Sequence, residues 1–180
     1  MNGDKNNGFH TVRGYQLINQ QSMQLTPAME DYLEMIYRLC LEVPYTRIGR
    51  LAEALHVQPS SASKMVMKLS KHGFVNSDRY EVILLTQKGS DTGAYFMYRH
   101  QIIASFLQLI GKRACLEETE LIEHVVDSET VNLLKRLMTF IEQNPQIKKE
   151  WEKYRKVFAP DPNDPKCIKR SETYSNHAIE

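Results

Sequence analysis

The sequence predicts a mainly α-helical chain in two units, an N-terminal one that closes on a short β-ribbon and a second that is helical throughout. Three observations predict it. Apolar residues recur at helical spacing over most of the stretch from 26 to 143. Only two short runs, 74–77 and 81–85, read as strands. Glycine and proline punctuate the chain where one period ends and the next begins.

Residues 1–25 are polar and rich in Asn and Gln, and read as a flexible arm. Thr26 and Pro27 supply a cap and a first-turn proline for the first helix. Its expected inward stripe is Leu33, Ile36, Tyr37, Cys40 and Leu41, and Pro44 ends it. A second helix over about 47–55 turns Ile48, Leu51, Ala52 and Leu55 inward. After the turn His56, Val57 and Gln58, Pro59 opens a third helix to about residue 72, with Ala62, Val66 and Leu69 inward. Gly73 stops it. The two strand runs follow, joined by the charged tip Asp78, Arg79 and Tyr80. Thr86 caps a long helix that reaches about Ile110 and ends at Gly111. Helices at 116–126 and 128–143 complete the globular part. Pro145 breaks the chain, a charged helical stretch runs to about 157, and the proline-bearing tail is expected to be disordered at its end. The expected division is an arm (1–25), a DNA-contacting unit (26–90), a helical unit (91–144) and a helical extension with tail (145–180).

A chain of 180 residues with 42% hydrophobic residues can bury a core, and its net charge of +1 gives no global sign of a nucleic-acid partner. Local charge is more informative. From Arg47 to Arg79 there are six Lys/Arg against two Asp/Glu, whereas Ala114 to Glu129 holds six acids and no Lys or Arg. One region suits phosphate and the other a cation. The three cysteines, Cys40, Cys115 and Cys167, have no CxxC spacing and cannot all pair, which argues against thiolate zinc and a disulfide framework. No apolar leader or membrane span is visible, so a cytoplasmic location is expected.

Helix, helix, turn, helix and ribbon is the order of a winged helix-turn-helix. The third helix carries Ser60, Ser61, Ser63, Lys64, Met67, Lys68 and Lys71 opposite its apolar stripe, with no acid among them. Short hydroxyls can donate to phosphates or base edges, and lysines displace counterions. Arg79 at the ribbon tip could reach a neighbouring groove. Lys64 and Lys68 alone would read as an ordinary solvated face. The five-element order with its local charge of +4 favours double-stranded DNA.

Six residues of metal-ligating type fall in three clusters that flank this segment: Asp31 with Glu34, then His100, then Glu120, Glu123 and His124. Asp31 and Glu34 lie three apart on one helix, and Glu120, Glu123 and His124 follow i, i+3, i+4 on another. Four carboxylates and two imidazoles are too many for one ion and reasonable for two, because carboxylates can bridge a pair of divalent cations. Oxygen-rich ligation without thiolate suits Mn2+ or Fe2+. Each residue has a plain alternative: acids in a helical first turn, a hydrogen-bonded core histidine, surface charge. Those alternatives leave an acidic run without basic partners unexplained. A di-metal carboxylate enzyme is the rival reading, since helix-borne Glu and His also build di-iron sites. No catalytic triad or phosphate-cradling glycine loop is visible, and no small organic substrate is expected.

The stretch from Thr26 to Glu34 resembles the start of the manganese transport regulators, a branch of the diphtheria-toxin-repressor family. So do Gln58-Pro59-Ser60-Ser61-Ala62-Ser63-Lys64, Leu84-Leu85-Thr86-Gln87-Lys88-Gly89, Tyr98-Arg99-His100 and Glu120-Leu121-Ile122-Glu123-His124. The resemblance covers about Thr26 to Gln143. It implies a homodimer of winged-helix units flanking a helical dimerisation unit, with two Mn2+ per subunit at their junction and Fe2+ as the alternative ion. By position it implies Asp31, Glu34, His100, Glu120, Glu123 and His124 as ligands. In the iron-sensing branch the position of Glu120 is typically Cys and that of Asp31 typically Met. The resemblance also implies metal-dependent repression of manganese uptake genes, with iron response as the runner-up.

Overall fold

A computed structural model describes residues 25–78, 82–112 and 115–157. The expected arm, the ribbon-tip residue Arg79 and the expected disordered tail lie outside the described residues. In chain order the elements are α1 (Pro27–Cys40), β1 (Thr46–Arg47), α2 (Ile48–Ala54), α3 (Pro59–Lys71), β2 (Val75–Ser77), β3 (Val82–Leu85), α4 (Gln87–Ile110), α5 (Leu116–Glu123), α6 (Ser128–Gln143) and α7 (Pro145–Val157).

The first helix starts where the sequence says it should. The Thr26 hydroxyl accepts from the Met29 amide and Pro27 sits in the first turn. Its buried face is Met29, Glu30, Leu33, Glu34 and Ile36, rotated from the expected stripe. Leu41 is 58% exposed, because α1 ends at Cys40 and Leu41 is its cap. Ala62, Val66 and Leu69 of α3 are buried, as their period requires. His56 takes positive φ (53°) in the turn between α2 and α3, a conformation histidine tolerates better than β-branched residues.

The hairpin pairs Val75 with Leu85 and Ser77 with Ile83. Strand β1 has no signature in the sequence; it adds Thr46 and Arg47 to the free edge of β3 opposite Ile83 and Val82. Two residues are too few to carry a period, so only the tertiary edge pairing reveals the strand. Its formation also delays the start of α2 to Ile48.

Helix α4 is 24 residues long, about 36 Å at 1.5 Å per residue. Thr86 caps it by accepting from the Gly89 amide, and Gly111 ends it in the left-handed region at φ 114°. Trp151 and Arg155 of α7 reach back to satisfy its last carbonyls: Trp151 Nε1 donates to Leu109 O at 2.8 Å and Arg155 Nη1 donates to Gln108 O at 3.1 Å. This one helix serves both units. Phe96 joins the core built from α1, α2, α3 and the hairpin. Further along, Ile102 packs with Val131 and Met138, while Ile103 and Leu107 pack with Cys115. Helix α1 packs against α4, and Gly93 makes room for it, since a Cβ there would meet Tyr37 Cβ at 2.6 Å. Helix α5 stops at Glu123 rather than at the expected 126, because Val125 turns back on Ile122 O and Asp127 caps α6.

Candidate metal centre

The seam between α1, α4 and α5 holds the acids and imidazoles that the sequence singled out. Asp31, Glu123 and His124 each offer a ligand atom within 4.8 Å of the others, and so do His100, Glu120 and Glu123. Glu123 belongs to both groups and is only 1% exposed. One of its carboxylate oxygens lies 2.8 Å from His100 Nδ1 and the other 3.8 Å from His124 Nε2. A buried carboxylate with one oxygen in each of two donor groups has the disposition of a bridging ligand.

Five of the six predicted residues therefore converge. Glu34 is buried in the same cleft as Asp31, His100 and Glu120, yet its carboxylate accepts from Arg38 Nε at 2.9 Å rather than joining either group. Glu120 is half-exposed at the rim, with its carboxylate 3.5 Å from His100 Nδ1.

The electrostatics are those of a cation site. The His124 imidazole is pushed up to about 10, first by its hydrogen bond to Asp31 and then by the one to Glu30. His100 is likewise raised, chiefly by its hydrogen bond to Glu123. Partial burial and the neighbouring Glu123 charge raise Glu120 as well. A proton on each imidazole offsets carboxylates that would otherwise repel one another. A divalent ion would relieve the same charge more completely, so the residues present suit such an ion. The donor set is oxygen and imidazole only. Among the described residues the free cysteines Cys40 and Cys115 join neither group, which favours a hard cation over a soft one.

Sequence reasoning missed Glu30 and Arg99. Glu30 is 4% exposed, and its Oε2 accepts from Arg99 Nη2 at 2.6 Å and lies 2.9 Å from His124 Nδ1. Glu30 reads in sequence as one more first-turn acid. Arg99 did carry a signal: it stands three residues after Phe96 and four before Ile103, on the inward face of α4, where an unpaired charge is not tolerated.

Away from the seam, α3 presents Ser60, Ser61, Lys64, Lys68 and Lys71 exposed, preceded by exposed Gln58 and Pro59, with Ser63 half-buried. No acid lies on this helix. Among the described residues no helix is long and apolar enough to cross a membrane.

Comparison with known proteins agrees with both features. Residues 24–83 match the family described as iron dependent repressor, N-terminal DNA binding domain. Residues 86–152 match the iron dependent repressor metal binding and dimerisation domain. The chain is 39% identical over 127 residues to the HTH-type transcriptional regulator MntR of Bacillus velezensis, covering 69% of this chain and 89% of that protein. It is 38% identical over 127 residues to the protein of the same name from Bacillus subtilis, with the same coverage. Among solved structures it is similar to the manganese regulator SloR, at 30% identity and a TM-score of 0.57. It is also similar to a manganese-dependent transcriptional repressor in complex with manganese, at 26% identity and a TM-score of 0.54. These matches cover 64% and 62% of this chain, and it spans about half the length of those solved chains (55% and 53%).

Proposed function

The chain belongs to the iron dependent repressor family of metal-dependent DNA-binding regulators, and from that premise we propose that it is a manganese-responsive transcriptional repressor of manganese uptake genes, acting in the cytoplasm. It is a DNA-binding regulator, not an enzyme. The proposed ligands are Asp31, Glu34, His100, Glu120, Glu123 and His124, holding two Mn2+ per subunit. The proposed DNA contacts are Gln58, Pro59, Ser60, Ser61, Ser63, Lys64, Lys68 and Lys71 on one element, with Arg79 at the ribbon tip. The proposed division is a DNA-binding domain over 26–90, a metal-binding and dimerisation domain over 91–144, and an extension beyond.

One observation carries the reading. Buried Glu123 of α5 faces His100 of α4 on one side and, on the other, His124 with Asp31 of α1. Helix α1 is part of the core that seats α3, so whatever holds Asp31 to α5 also holds the reading helix to the second unit. A bound divalent cation would supply the positive charge that keeps these carboxylates together. The chain's own residues do the rest. Asp31 and Glu34 pull α1 toward the seam, His100 fixes its place along α4, and Glu123 joins the two donor groups. Glu34 must leave Arg38 to take part. In a homodimer this would hold two copies of α3 at a spacing near one helical turn of DNA, about 34 Å.

Metal and DNA are then coupled reciprocally by about 1–3 kcal/mol. The test is selection of a preferred DNA site by the full chain with Mn2+, then titration of that site with Mn2+ or with chelator. The expected result is about 5- to 150-fold tighter binding with Mn2+. Equal affinities would sink the reading, and a stronger response to Fe2+ than to Mn2+ would reassign the ion.

A further inference from the structure

We propose that Glu30 and Arg99 are positioning residues for His124, which together hold its imidazole with Nδ1 tied down and Nε2 directed at the metal centre. This inference rests on the metal reading given above and assigns a role to two residues outside the ligand set.

Two consecutive residues of α1 grip the two nitrogens of one ring. Glu30 Oε2 lies 2.9 Å from His124 Nδ1, and Asp31 Oδ1 lies 3.0 Å from Nε2. The second neighbour of Nδ1 is Arg99 Nη2 at 3.5 Å, which can only donate. The nearer partner is a carboxylate, so Nδ1 carries the hydrogen and donates it to Glu30. Once the ring gives up its other proton, that leaves Nε2, on the side of Asp31 and Glu123, as the nitrogen able to ligate. Glu30 is fixed in turn by Arg99, whose Nη2 donates to the same oxygen at 2.6 Å.

A stability role does not account for this pair. Arg99 is 2% exposed and its Nε has no hydrogen-bond partner among the described residues, so its desolvation is incompletely repaid. An apolar pair of similar volume would serve packing at least as well. The pair instead joins α1 to α4, across 69 residues of sequence, where the imidazole of His124 must be aimed. Glu30 belongs to neither donor group, and its Oε2 is already shared by a guanidinium and an imidazole. A carboxylate that orients a ligating histidine from its far nitrogen also makes the ring a better donor.

The test titrates the full chain with Mn2+ by calorimetry and follows the His124 ring by imidazole NMR in the Zn2+-loaded chain. Glu30→Gln keeps the side chain's shape and removes its charge. Mn2+ affinity should fall about 10- to 100-fold at unchanged stoichiometry, and the Nδ1 proton signal should move upfield as its carboxylate acceptor is lost. Arg99→Lys should give a smaller loss in the same direction, and the double variant should lose less than the sum of the two. An affinity within about twofold of the parent with an unmoved Nδ1 signal would overturn the role. So would the loss of one ion from the stoichiometry, which would make Glu30 a ligand. If Glu30→Gln does not fold, an unmoved Nδ1 signal in Arg99→Lys overturns it as well. Failure of the parent chain to take up either ion would instead overturn the metal reading itself.

Discussion

Glu34 shows how one side chain can stand between two partners. It is buried beside Asp31, His100 and Glu120, but its carboxylate is held by Arg38, four residues along α1. Arg38 is the more exposed partner, so the pair is screened and worth about 0.2–1 kcal/mol. Removing that competitor frees Glu34 and takes a positive charge from the rim of the cleft. Arg38→Met should therefore raise Mn2+ affinity about two- to fivefold in a calorimetric titration. A lower affinity would mean that Arg38 supports the centre. His124 gives a second expectation with a definite sign. Asp31 and Glu30 hold its proton up to about 10, against about 6.5 for a free imidazole. In the metal-free chain this contributes stability that is complete below about 6.5 and is lost as pH rises through 10. Ligation requires the neutral ring, so Mn2+ uptake at pH 7.5 should release protons and tighten as pH rises toward 9. Calorimetry in buffers of different ionisation enthalpy measures that release; a buffer-independent heat would count against His124 as a ligand.

Among the elements, the crossing of α1 and α4 is the joint on which the proposed response would turn, because the proposed ligands Asp31 and Glu34 ride on one helix and His100 on the other. Gly93 lets the two come close: a Cβ there would meet Tyr37 Cβ at 2.6 Å and Leu33 O at 3.3 Å. Neither neighbour is the loose end of a flexible side chain, so one of the helices must move. Gly93→Ala should destabilise the chain by about 1–3 kcal/mol in urea unfolding. The same variant should bind Mn2+ more weakly, since a displaced α1 carries Asp31 away from Glu123. Unchanged stability would show that the crossing tolerates a methyl group and that α1 is seated less closely than the distances indicate.

For the whole molecule, the second unit exposes more apolar surface than an isolated monomer needs. On α6, Leu133, Leu137 and Phe140 are about half-exposed at spacings of four and three residues, and Leu116 and Leu121 of α5, with Val125 in the turn after it, are more exposed still. They lie within the region matched to a metal binding and dimerisation domain, and a second copy is the natural cover for them. Leu137→Asp should convert the dimer to monomer in sedimentation while leaving each chain folded. It should also weaken DNA binding at a two-fold site far more than Mn2+ uptake, since the two candidate donor groups are each drawn from a single chain. Retention of the dimer would move the interface elsewhere.

The helices from Pro27 to Gln143, the hairpin, the basic face of α3 and the five candidate ligands that converge were all legible in the sequence. Each is written in local chemistry: a cap, a period, or a spacing of three or four that puts residues on one face. What could not be read there depends on partners distant along the chain. Strand β1 exists only because β3 offers a free edge. The buried pairing of Glu30 with Arg99 and the capture of Glu34 by Arg38 depend on where α1 comes to rest and which neighbour reaches a carboxylate first. Residue type settled which groups are able to hold a cation. Only the packing of α1 against α4 and α5 decided that Glu123 stands between two such groups, because a carboxylate's role follows from what lies within reach of both its oxygens, and spacing along one helix does not specify that.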